Sequence, residues 1–156
     1  MQDDEPSPPG ALRIDQEHAT LTRMLDRLAS ICVIANAEAC AAACPLGWQD
    51  KCSSDLESIV SALTAYMHDH FHYEEEQMDE CVVEEQFLEH RNEHRRITAQ
   101  VETIIDRHRR AELDSVATTA ILADTLSRWL QDHIENYDEV LTVFLDGSSE
   151  SQDLVD

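Results

Sequence analysis

Glycine, proline and aromatic residues are scarce, with three glycines, four prolines and 5% aromatics in 156 residues. A β-sandwich or barrel needs tight turns at short intervals and aromatic-rich strands, so those folds are excluded. No apolar run approaches the roughly 20 residues that cross a bilayer. The segment Met1 to Glu5 has neither a basic stretch nor an apolar one, so no secretory signal is expected. Basic residues are also few. Eleven Lys and Arg stand against 33 Asp and Glu, a formal charge of −22, and Lys51 is the single lysine. That field repels phosphate backbones and anionic lipid, so neither nucleic acid nor a membrane is an expected partner. The cysteines, Cys32, Cys40, Cys44, Cys52 and Cys81, are odd in number. Without an export signal they read as reduced thiols, and the expected location is cytoplasmic.

The length fits one domain with a sizeable core. Ala, Leu, Glu and Arg dominate, which favours an all-α fold. Residues 1–10, broken by Pro6, Pro8, Pro9 and Gly10, read as a disordered acidic tail, and residues 147–156 as a tail or linker. Four segments between them carry helical periodicity. The first, capped near Asp15, has the stripe Ile14, His18, Leu21, Leu25, Leu28 and Cys32. The second follows the cap cluster Ser53-Ser54-Asp55 and has Leu56, Val60, Leu63, Met67, His70, Glu74 and Met78. The third has Phe87, His90, His94, Ile97, Val101 and Ile104. The fourth has Leu122, Leu126, Trp129, His133, Tyr137, Leu141 and Phe144. Alternating spacings of three and four predict an antiparallel up-down-up-down four-helix bundle over residues 11–146. About residues 34–54 form a cysteine-bearing connection, with the first helix continuing to Cys44 before Pro45. Its thiols could form a disulfide, a redox switch or a small metal site. Packing of small apolar side chains under a loop is the favoured reading.

The informative residues are the polar ones inside the stripes. Every segment places at least one histidine on its inward face: His18, His70, His90 with His94, and His133. Glu74 follows His70 by four and shares its face. Singly, each reads as a hydrogen-bonded core histidine. Together, five imidazoles and a buried carboxylate need a cation to offset several kcal/mol of desolvation per charge. Imidazole with carboxylate suits Fe, Zn, Cu or Ni. The set exceeds a tetrahedral zinc, and two bridged ions would use it. His68 and His72 fall on the opposite face from His70 and read as solvated. Glu75 reads as outward-facing. His108 sits among Arg107, Arg109 and Arg110, where positive charge complements a helix C-terminus.

The motifs Ile14-Asp15-x-x-His18, His70-Phe71-x-x-Glu74-Glu75-x-x-Met78, His90-x-x-x-His94 and Trp129-x-x-x-His133-Ile134-x-x-x-Asp138 resemble the hemerythrin family in order and helix placement. The resemblance is to bacteriohemerythrin-like, HHE-type di-iron domains. The resemblance implies a four-helix bundle around two non-haem iron ions that bind dioxygen reversibly. It implies His90, His94 and His133 on one iron and His18 and His70 on the other. Glu74 and Asp138 would bridge the pair, with a solvent-derived oxo or hydroxo group. Asp138 rests on the resemblance alone. Five residues beyond His133 is about 140° around an ideal helix, where periodicity selects Tyr137. Approach from the side of the centre would accommodate that offset. Leu21, Leu25, Leu63, Met67, Val101, Leu126 and Trp129 are candidate walls of an oxygen pocket. Nitric oxide is a second candidate ligand. The added thiols and the Ser-rich C-terminal segment suggest a sensor attached to a signalling domain in a longer chain, beside the plain oxygen carrier.

Two other readings compete. A di-iron redox enzyme acting on peroxide or nitric oxide would use the same ligands. His90-Arg91-Asn92-Glu93-His94 also matches the inverted zinc-protease motif with Glu93 as base. That reading leaves His18, His70 and His133 unused. A plain acidic bundle without metal is the third class.

Overall fold

The computed structural model describes residues 10–31, 46–80 and 87–150, without the side chains at 46–51 and 148–150. Its elements are α1 (Gly10–Ser30), α2 (Leu46–Glu80), α3 (Leu88–Arg109) and α4 (Ser115–His133). A π-helical turn (Ile134–Asp138) and α5 (Glu139–Glu150) follow. The last three form one unbroken rod, which gives four rods among the described residues. No strand occurs among the described residues. The all-α four-helix bundle read from periodicity is the fold.

Chain direction alternates. His18 near the start of α1, His70 near the end of α2, His90 at the start of α3 and His133 at the end of α4 lie at one level. Two apolar layers enclose this polar one. On one side Ile14, Met78, Phe87 and Leu141 form a plug with one residue from each rod or its approach. On the other side lies the larger core, including Leu21, Leu25, Leu63, Met67, Phe71, Val101 and Leu126, with Trp129 packed against it.

Local chemistry explains the ends. α3 stops in a Schellman turn, where Glu112 N–H donates to Arg107 O at 2.9 Å and Ala111 N–H to His108 O at 2.9 Å. Ala111 takes the left-handed position at φ 58. Asp114 then caps α4, its Oδ1 accepting from Ala117 N–H at 2.7 Å. His108 does more than sit at a helix end. It is half-buried, and its Nδ1 lies 3.0 Å from Leu113 O and 3.1 Å from Thr118 Oγ1, tying this turn together.

Four boundaries differ from expectation. α1 begins at Gly10, not near Asp15, because its first turn lies against Leu145 of α5 and Tyr73 of α2. It ends at Ser30 with Ile31 in a turn, short of the Cys44 expected, and residues 32–44 lie outside the described residues. α2 begins at Leu46, directly after Pro45, placing Ser53-Ser54-Asp55 inside the helix rather than at its cap. α5 runs through Gly147 to Glu150 instead of stopping at the glycine. Cys32, Cys40, Cys44 and Cys81 lie outside the described residues. Cys52 is a half-buried free thiol whose Sγ approaches Ile31 O at 3.8 Å.

Candidate metal centre

Two groups of side chains each bring their ligand atoms within 4.8 Å of one another. One is Glu74, His90, His94 and His133, and the other is His18, His70, Glu74 and Asp138. All seven residues are buried, and Glu74 is wholly so. The structure therefore brings together every residue singled out for the site. Glu74 belongs to both groups, its Oε2 3.0 Å from His94 Nε2 and its Oε1 3.2 Å from His70 Nε2. Asp138 also spans the two, with Oδ2 2.7 Å from His18 Nε2 and Oδ1 2.9 Å from His90 Nε2.

These approaches leave the polar atoms unsatisfied. Both oxygens of Glu74, both oxygens of Asp138 and Nε2 of His18 and His70 are buried without a hydrogen-bond partner. The Nε2 atoms of His90 and His94 converge on His133 Nε2 at 2.9 and 3.1 Å. One shared proton can satisfy one such pair, not the whole set. Lone pairs of buried imidazoles and carboxylates from all four rods, turned towards one another, are what a cation would complete.

The charge states point the same way. Burial pushes the Glu74 carboxyl up, but the imidazoles of His90 and His94 outweigh it and hold it at about 2. Asp138 is likewise held well below its usual range, burial being overcome by His133, His18 and His90. Burial pulls His70 down, yet the Glu17 hydrogen bond and the nearby Glu74 raise it overall. His90 is raised against its burial by Asp138 and Glu74. His133 is lowered, first by burial and then by His90 and His94, against the pull of Asp138. Two anions thus face imidazoles across a site with no water-exposed ligand.

The model of the hemerythrin HHE cation-binding domain matches residues 11–145. The chain belongs to that family. No curated protein and no solved structure matches it significantly.

In this hemerythrin domain the offset of Asp138 has a simple cause. The side-on approach expected for it is not how the chain solves the problem. The rod is π-helical from Ile134 to Asp138, and a π turn carries residue i+5 back to the face of residue i. Asp138 is 1% exposed, while Tyr137 is only half-buried and stacks on His133, ring centroids 5.3 Å apart.

Glu75 is the second correction. It does not face outward. It is half-buried, and its Oε1 accepts from His94 Nδ1–H at 3.0 Å. Glu17, absent from every sequence pattern, does the same for His70 at 2.7 Å while accepting from Arg13 Nε at 2.9 Å. Each carboxylate fixes the tautomer that turns Nε2 into the cavity. Burial pulls Glu17 up, but His70 and Arg13 bring it down overall. No helical period marks a residue that reaches across to another helix, so the sequence carried no signal for Glu17. Glu93 pairs with Arg96 and belongs to neither ligand group, so the inverted protease motif has no base in place. His68 and His72 are exposed, as expected. No helix among the described residues is long and apolar enough to cross a membrane.

Proposed function

We propose that this hemerythrin domain holds two non-haem iron ions and binds dioxygen reversibly, as a carrier or as the sensing part of a larger signalling protein. The observation that carries this reading is the pair of ligand groups joined through Glu74, one with three imidazoles and the other with two. His90, His94 and His133 would hold one ion and His18 and His70 the other, with Glu74 and Asp138 between them. Bound there, two ferrous ions supply two electrons and one open coordination position on the side of His18 and His70.

Three imidazoles from α3 and α4 and two from α1 and α2 share Glu74, a donor set larger than one tetrahedral zinc takes. The protein's own part is to orient and to exclude water. Glu17 and Glu75 hold the Nδ1 protons of His70 and His94 outward. Leu21, Leu25 and Met67 line the apolar core beside the two-histidine side, which admits a small apolar ligand and disfavours water and anions. Neutral imidazoles in place of further carboxylates keep the site from favouring the oxidised metal too strongly.

The test is a reduced, iron-loaded sample exposed to air. Two irons per chain, uptake of one oxygen and a visible band that disappears on removing oxygen support the proposal. Immediate irreversible oxidation with turnover of peroxide or nitric oxide would replace it with the redox-enzyme reading.

A further inference from the structure

We propose that His68 and His72, with Glu76, form a surface site on α2 for a divalent transition-metal cation, and that this site feeds the buried centre through the cleft between α2 and α3. The feeding role rests on the metal-centre reading above, whereas the surface site does not.

The buried centre poses a problem of access. None of its seven side chains reaches the surface appreciably, and apolar layers close it above and below. The side between α2 and α3 is different. A cleft of about 470 Å³ opens there, and its lining runs from His68 and His72 through Phe71 and Glu75 to His94. Glu75 is the inner step, since the same carboxylate that lines the cleft holds His94 Nδ1. It is about one-third exposed.

The mouth of the cleft carries ligand chemistry of its own. His68 and His72 are four residues apart, and their rings lie nearly parallel, at 23° with centroids 6.4 Å apart. His72 Nε2 lies 3.3 Å from Glu76 Oε1, again four residues on. Their side chains are 81%, 67% and 59% exposed, so they can turn towards a common ion within nanoseconds. Two imidazoles and a carboxylate on successive turns of one helix form a nitrogen-rich set that suits Fe, Ni, Cu or Zn and not Ca or Mg. The opposite wall supplies Glu102 and Arg95. Arg95 donates to Asn92 Oδ1, three residues back on its own helix, at 3.1 Å. The strong negative charge of the whole chain raises the local concentration of cations at such a mouth.

The experiment compares the full chain with a His68→Ala, His72→Ala double variant. Iron-loaded samples of both are titrated with nickel, and metal-free samples are mixed with limiting ferrous ion while uptake is followed in time. Thiols present in both proteins cancel in the comparison. The double variant is expected to lose one nickel equivalent and to take up iron several-fold more slowly, with the same final iron content and the same Tm when loaded. Equal nickel binding would overturn the surface site. Loss of the nickel equivalent with an unchanged uptake rate would overturn its feeding role. A wild-type chain that takes up no iron would instead sink the di-iron reading and the feeding role with it, and the nickel titration would still decide the surface site.

Discussion

Asp138 Oδ1 lies 3.0 Å from His133 Nε2, although five residues separate them on one helical rod. The π turn between them adds one residue to the circuit without changing the face presented to the bundle. Removing one exposed residue from that turn should therefore return an α-helix with His and Asp at i and i+4, still facing inward. A chain lacking Asn136 is expected to keep its helical content and its metal content. A chain with one alanine inserted after Asn136 is expected to lose metal, because the carboxylate swings about 100° away. Metal analysis of both proteins checks this, and loss of metal from the deletion alone would contradict it.

The two faces of α2 should separate cleanly. If the chain holds two ions as proposed, His70→Ala is expected to lower the metal content to about one, with His18→Ala behaving alike, since each removes a nitrogen from the two-histidine group. His68→Ala and His72→Ala should retain the full content at equilibrium, because both side chains lie outside the cavity. Full metal in His70→Ala beside depleted metal in His68→Ala would mean the helix faces are reversed.

Glu17 acts through His70. Replacing it with alanine frees the imidazole to rotate and to change tautomer, and should weaken metal binding at the two-histidine group by about 10–100-fold. Glu17→Gln retains an oxygen acceptor and should lose less. Competition against a chelator of known affinity measures both, and equal affinities for wild type and Glu17→Ala would remove Glu17 from any positioning role.

Without metal, stability should peak between about pH 4.5 and 6.5. Glu74 titrates at about 2 in the fold against an ordinary 4.5, so its contribution is complete above 4.5 and is lost as pH falls towards 2. His70 and His90 are raised above 6.5, so theirs is complete below 6.5 and is lost as pH climbs through their folded values. His133, lowered by burial, has the opposite sign and offsets part of this. Loaded protein should respond inversely, releasing metal in acid because ligation requires neutral imidazoles. Tm against pH for chelated and loaded samples is the measurement, and a metal-free Tm still rising from pH 6.5 to 8 would contradict the first half.

Ala111 is strained in its left-handed position at the end of α3. Ala111→Gly should stabilise the fold by about 1 kcal/mol, because glycine takes that conformation without steric cost. The midpoint of urea unfolding reports it, with unchanged metal content as the control.

The spacing of apolar residues determined that there are four rods, and it determined which faces of them turn inward. It also determined that His18, His70, Glu74, His90, His94 and His133 share those faces, since facing is a property of each helix taken alone. Two kinds of feature were decided only in three dimensions. The first is departure from the regular period: Asp138 is inward and Tyr137 half-buried because the rod is π-helical between Ile134 and Asp138, and an ideal-helix count presumes that no such turn exists. The second is pairing between helices. Glu17 meets His70 and Glu75 meets His94 because of how α1, α2 and α3 are rotated and spaced against one another. Those rotations are set by the packing of whole apolar layers above and below the site, so no local pattern around either glutamate could encode them.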